Sequence, residues 1–171
     1  MAKTMSAYDI FLDGLRNAHA MEKQALSIMQ PQLNRLQHYP EMSALLDRHI
    51  QETEGQIERL DTILADMDTS SSGLKDMGLS MTGSMAALSH TLAGDEILKN
   101  TFANHAFENF EIAAYVSLMV TADLCGAGTA VTLLQESLDE ERRMAAALHE
   151  SIDAVTRHYV ALAASDDRAD I

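Results

Sequence analysis

Between Val131 and Leu162 one line of positions recurs every three or four residues: Val131, Leu134, Leu138, Glu141, Ala145, Leu148, Ile152, Val155, Tyr159 and Leu162. Only an α-helix turns that spacing into a face. So long an apolar face must be covered by other helices, which makes this the seam of a bundle. Glu141 is the only charge on the line. A carboxylate in the middle of such a seam needs a partner, because burying an unpaired charge is costly.

The rest of the chain supplies the other helices. A first helix is expected from Ser6 to Leu36, capped by Ser6 with Asp9 three residues on. Its seam is Leu12, Leu15, His19, Glu22, Leu26, Met29 and Leu33. Pro31 should kink its last turns or end it early. Gln37 to Pro40 form a turn, and Pro40 suits the first turn of a second helix running to Met67. The seam of that helix is Leu46, His49, Thr53, Gln56, Leu60 and Ile63, with Glu52 on its border. Asp68 to Gly73 is a break. The Met-rich stretch Leu74 to Leu92 is expected to be a shorter helix crossing between the halves. Its Met77, Met81 and Met85 read as packing rather than ligands. A third long helix follows from Asp95 to Leu124, ended by Cys125-Gly126-Ala127-Gly128. The fourth runs from Thr129 to Ala164, and the polar tail from Ser165 to Ile171 should fray.

The fold class is therefore all-α, an antiparallel four-helix bundle with an additional crossing helix, in a single domain over residues 1–171. Hydrophobic residues make up 47% of the chain, enough for a proper core. Cys125 is the only cysteine, so neither an internal disulfide nor a multi-cysteine zinc site can form. The formal net charge of -14 argues against nucleic acid, whose phosphates need Lys and Arg. No apolar run reaches the ~18 residues of a membrane span. Residues Met1 to Ser6 lead into an amphipathic segment, not a signal-peptide core. A cytoplasmic protein is the expectation.

The third helix carries two carboxylates, Glu108 and Glu111, three apart on one face of a mostly apolar stretch, with His105 one turn back. Such a pair repels unless something positive lies between its members. Turn geometry brings more groups to the same height. Glu22 and Glu52 lie 16 and 14 residues from His38 in the first turn, and Glu111 and Glu141 each lie 15 from Gly126 in the second. Antiparallel helices rise equally per residue, so each hairpin sets two carboxylates level. Two hairpins packed face to face would gather four or five carboxylates and at least one imidazole in one layer. Each residue alone could be a satisfied polar position, and His49 with Glu52 could be an ordinary surface pair. Together they favour divalent metals, which would remove the repulsion. The candidate ligands are Glu22, His49, Glu52, Glu108, Glu111 and Glu141, with Gln56 the runner-up on the second helix.

The segments Ala20-Met21-Glu22-Lys23-Gln24, His49-Ile50-Gln51-Glu52-Thr53, Gln56-Ile57-Glu58-Arg59-Leu60, Phe110-Glu111-Ile112-Ala113-Ala114-Tyr115 and Leu133 to Glu141 carry a further signal. With them the chain resembles the YciE/YciF-type ferritin-like proteins from about Phe11 to Leu148. That resemblance implies a ferritin-like four-helix bundle, a di-iron type site, a ferroxidase label and dimers. The chain departs from the family pattern at His19, where an aromatic residue is usual, and at His105, where a Gln is usual. It departs again at Ala145, where an acidic residue is usual, and at Met81-Thr82, where the crossing helix lacks family acids. The fourth helix thus offers Glu141 without a second ligand. Either His19 or His105 compensates, or the site is weaker or mononuclear.

Two functions follow as expectations. The first is a ferroxidase-type oxidoreductase with two Fe ions, or Mn in their place, using O2 or peroxide. The second is a non-enzymatic, dimeric helical stress protein whose site is degenerate or only structural. A homodimer is expected in either case.

Overall fold

The computed structural model describes residues 4–67, 95–165 and 169. Among these the chain forms four helices and no strand: α1 (Ala7–Leu33), α2 (Pro40–Asp66), α3 (Glu96–Leu124) and α4 (Gly128–Ala164). The expected crossing helix and its three methionines lie outside the described residues.

The helix ends follow local chemistry. Ser6 caps α1 in a reciprocal box: its hydroxyl accepts from the Asp9 N–H at 3.1 Å, and Asp9 Oδ2 accepts from the Ser6 N–H at 2.9 Å. The helix passes through Pro31 and stops at Leu33, short of the expected Leu36. Pro40 occupies the first turn of α2, where its missing N–H costs nothing. Gly126 ends α3 with φ 78°, which lets the Ala127 N–H reach back to the Ala122 carbonyl at 2.9 Å. A residue with a Cβ would be strained there.

Cross-helix contacts fix the topology. On α1 and α3, Glu22 meets Tyr115 and Gln32 meets Asn104, so these helices are antiparallel. On α2 and α4, Glu52 meets Arg143 and Arg59 meets Ser137, with the same result. The helices α2 and α3 therefore run the same way. The end of α2 and the start of α3 lie at opposite ends of the bundle. The contacts there agree. At one end Tyr8 Oη donates to the Met67 carbonyl at 3.1 Å, and at the other Arg35 grips Glu96 with bonds of 2.8 and 2.5 Å.

The core runs the length of the bundle, from Phe11, Leu15 and Leu60 through Tyr115 to Leu134 and Leu148. On α1 the buried set is wider than the expected seam. It includes Ala18, Met21 and Ala25, while Leu12, Leu26 and Leu33 are only partly buried. The reason is that α1 packs on both α2 and α3, so its covered stripe spans two interfaces. The helix α3 is apolar nearly all round. Its outer side exposes Phe102, Phe110, Val116, Val120 and Leu124, the last 69% exposed.

Candidate metal centre

At mid-height the bundle core turns polar. Glu22 comes from α1, His49, Thr53 and Gln56 from α2, Glu108 and Glu111 from α3, and Glu141 from α4. All are buried, and Glu22, Thr53, Gln56 and Glu141 are 0% exposed. His49, Glu108, Glu111 and Glu141 each offer a ligand atom, and these atoms lie within 4.8 Å of one another. Each seam brings its polar residue inward because the flanking apolar positions above and below are themselves buried. Leu138 and Leu148 hold Glu141 in this way, and Leu46 and Leu60 hold the polar turn of α2.

Several hydrogen bonds orient the group from outside. Tyr115, one turn beyond Glu111, donates its hydroxyl to Glu22 Oε1 at 2.7 Å. Gln56 donates to Glu141 Oε1 and, at 3.1 Å, to Glu140 Oε2. Arg59 ties Glu140 down and donates to Ser137 Oγ at 3.0 Å. His49 Nδ1 pairs with Glu52 Oε2 at 3.1 Å, and Glu52 in turn meets Arg143 at 3.4 Å. His49 Nε2 faces inward, 3.1 Å from Glu108 Oε2 and 3.7 Å from Glu141 Oε2.

What distinguishes the cluster is the set of atoms left over. Glu22 Oε2, His49 Nε2, Gln56 Oε1, Glu108 Oε2, Glu111 Oε1 and Glu141 Oε2 are buried without a hydrogen-bond partner. His49 Nε2 is close to Glu108 but lacks the alignment of a hydrogen bond. Buried polar atoms are nearly always paired, so six orphans in one layer call for an explanation. Four of them belong to His49, Glu108, Glu111 and Glu141, the group whose ligand atoms could hold a cation.

The electrostatics reflect the crowding. Burial raises the pKa of Glu22 to about 8, against the opposing hydrogen bond from Tyr115 and the charge of His49. Glu111 is held well above the carboxylate range by burial and then by the charges of Glu22, Glu141 and Glu108. Glu141 is raised by burial and by Glu108. Burial alone would lower His49, but its contacts with Glu108 and Glu52 and the charges of Glu108 and Glu141 raise it to about 11. The bond to His49 lowers Glu52.

Of the six residues expected at the centre, four share the tight group and Glu22 stands beside it. Glu52 is outside. Its side chain is 23% exposed and turned toward Arg143, and it meets the centre only through His49. Residues three apart on a helix share a face only loosely, and here the inward direction falls to His49. His19 is buried but bonded to Asp61 at 3.1 Å. His105 is half-buried and stacks beside His149. Ala145 is buried and brings no donor. Tyr115, Glu140, Ser137 and Arg59 were not singled out from sequence. Only Tyr115 had a usable signal, four residues after Glu111 on the same face.

No helix among the described residues is long and apolar enough to cross a membrane. Residues 6–161 match the family described as Domain of unknown function (DUF892). Protein YciF of Escherichia coli (strain K12) is 28% identical over 145 residues, covering 78% of this chain and 82% of that protein. A solved structure of the E. coli stress protein YciF superposes with a TM-score of 0.72 at 26% identity, covering 87% of this chain and 96% of that one. A protein of Xanthomonas campestris pv. campestris superposes with a TM-score of 0.75 at 27% identity, covering 91% and 96%. With a match across nearly the whole bundle, polar layer included, the chain belongs to the DUF892 family, in its YciF-type branch.

Proposed function

We propose that the polar layer binds divalent transition metal and that the protein oxidises Fe(II) in the manner of a ferroxidase. The observation that carries this reading is the convergence of His49, Glu108, Glu111 and Glu141, whose ligand atoms lie within 4.8 Å of one another and whose side chains include buried atoms without a hydrogen-bond partner. The donor set is one imidazole and several carboxylates, a mixture that suits Fe(II) and Mn(II). His49, Glu108, Glu111 and Glu141 would hold one ion, and Glu22 with the α3 carboxylates a second. Bound there, a redox-active metal pair would pass electrons from Fe(II), the substrate, to O2 or peroxide. The chain's own residues set the stage. Tyr115 fixes Glu22, Gln56 fixes Glu141, and Glu52 fixes the ring of His49. Leu46, Leu60, Leu138 and Leu148 keep bulk water from the layer.

A second reading rests on Ala145, which leaves α4 one ligand poorer where a further donor would stand. Under it the site is degenerate or structural and the protein is not an enzyme. Metal analysis after anaerobic Fe(II) loading separates the two. About two equivalents per chain, followed by faster Fe(II) oxidation than in buffer, is the expected result. Metal without oxidation would leave the structural role, and no metal at all would leave a degenerate layer.

The protein is further proposed to form a homodimer. Phe102, Phe110, Val116, Val120 and Leu124 leave an apolar strip on the outer side of α3, and large exposed patches mark interfaces. Light scattering at micromolar concentration should give twice the chain mass. A monomer mass would remove the proposal.

A further inference from the structure

Outside the polar layer, two histidines from different helices meet on the surface. His105 on α3 is half-buried and His149 on α4 is exposed. Their ring centres lie 5.5 Å apart, with the planes inclined at 38°. Neither helix needs a histidine there for packing, since Phe107 and Leu148 beside them fill the core. The His105 ring is also anchored at one side. Asn109, one turn beyond His105, donates to the His105 carbonyl at 2.7 Å and sets its amide 3.5 Å from His105 Nε2.

We propose that His105 and His149 form a second metal site, distinct from the buried layer, for a divalent ion that prefers nitrogen, of the Zn(II), Ni(II) or Cu(II) class. The spacing fits. A tetrahedral ion with nitrogen ligands at about 2.0–2.1 Å sets two imidazole ring centres about 5 Å apart. Small side-chain rotations close the rest. The two rings come from separate rigid helices, so chelation needs no rearrangement of the backbone. Asp153 lies one turn beyond His149 on the same side of α4 and is exposed, paired with Arg157 at 2.8 Å. That carboxylate is held by Arg157, so water completes the shell.

The chemistry separates this site from the buried one. The buried donors are mostly carboxylate, which suits Fe(II) and Mn(II), whereas two imidazoles favour later first-row metals. The surface site also stands whether or not the buried layer binds anything.

Zn(II) titration of the full chain, followed by calorimetry, tests it in four proteins: wild type, His105→Ala, His149→Ala and Glu111→Ala. The wild type and Glu111→Ala should both show the surface Zn(II), and each histidine variant should bind it at least tenfold more weakly. Melting curves of the metal-free proteins confirm that the variants fold, and His149, being exposed, is the safer of the two. Histidine ring-nitrogen shifts in NMR, moving at both residues on Zn(II) addition, give a second readout. Unchanged binding in His149→Ala overturns the proposal. Loss in His149→Ala but not in His105→Ala also overturns it, leaving only an adventitious single-histidine contact. Loss in Glu111→Ala with both histidine variants unaffected would assign the Zn(II) to the buried layer instead.

Discussion

Replacing Glu141 by alanine is expected to remove at least one metal from the proposed centre and with it a large part of the thermal stabilisation by Mn(II) or Fe(II). A ligand present at about a thousand times its Kd stabilises the folded state by about 4 kcal/mol. For a chain of this size that is roughly 10 °C in Tm. Glu141 is the single charge on the α4 seam, 0% exposed, with Oε2 unpartnered and 3.7 Å from His49 Nε2. If it binds one of the two ions, the variant should show a clearly smaller metal-induced rise in melting temperature than the wild type. The metal-free proteins should differ by less than about 2 kcal/mol, because a cavity is traded for the removal of a crowded carboxyl. Gln56 keeps Glu140 as an acceptor at 3.1 Å, so the substitution does not strand its amide. Were Glu141 only a satisfied core residue, the metal-free variant would lose stability through its unpaired neighbours. Equal metal-induced shifts in wild type and variant would remove Glu141 from the ligand set.

The metal-free protein should lose stability steadily between about pH 5 and pH 8. Glu22 has its pKa raised from 4.5 to about 8, so the folded state keeps a proton that the unfolded chain has released. Its contribution is full below the ordinary carboxylate value and is lost as pH rises through about 8. His49 works in the same direction at higher pH, since its pKa is raised to about 11 from 6.5. Glu52 has the opposite sign: its lowered pKa gives stability that is lost on acidification. Glu22 alone accounts for on the order of 4 kcal/mol across its window. Metal binding displaces those protons, so the stabilisation by Mn(II) should grow with pH. Calorimetric melts in chelator and in Mn(II), at about pH 5, 6.5 and 8, check both halves. Metal-free melting temperatures as high at pH 8 as at pH 5 would contradict a layer that holds protons in place of metal.

Much of this architecture was legible because its information is periodic. The seam from Val131 to Leu162 fixes both a helix and its buried face, and Glu22, Glu108, Glu111 and Glu141 all fall inside such faces. Counting outward from His38 and Gly126 set Glu22 level with Glu52 and Glu111 level with Glu141, since a helix rises uniformly. The choice between His49 and Glu52 was not legible in that way. They differ by three positions, about 60° of rotation around α2, and the deciding factor is how α2 sits against α3 and α4. The Arg59, Glu140 and Ser137 contacts were hidden for the same reason, because they depend on side chains meeting across an interface. The outward apolar strip of α3 was not singled out in the sequence. Periodicity marks a face most clearly when the opposite face is polar, and α3 lacks that contrast.

The parallel run of α2 and α3 divides the polar layer between two independently built halves. Glu22 and His49 belong to the α1–α2 hairpin, and Glu108, Glu111 and Glu141 to the α3–α4 hairpin. Part of the repulsion lies within the α3–α4 hairpin, where Glu141 and Glu108 add to burial in raising Glu111, and closure on the α1–α2 hairpin adds the charge of Glu22. Closing the two hairpins on one another is thus where Glu22 joins the carboxyls of α3 and α4. Acid favours closure by neutralising the carboxyls, and a divalent cation at the proposed site would favour it as well. Under the proposed function, assembly of the bundle would therefore respond to the metal supply as well as to pH.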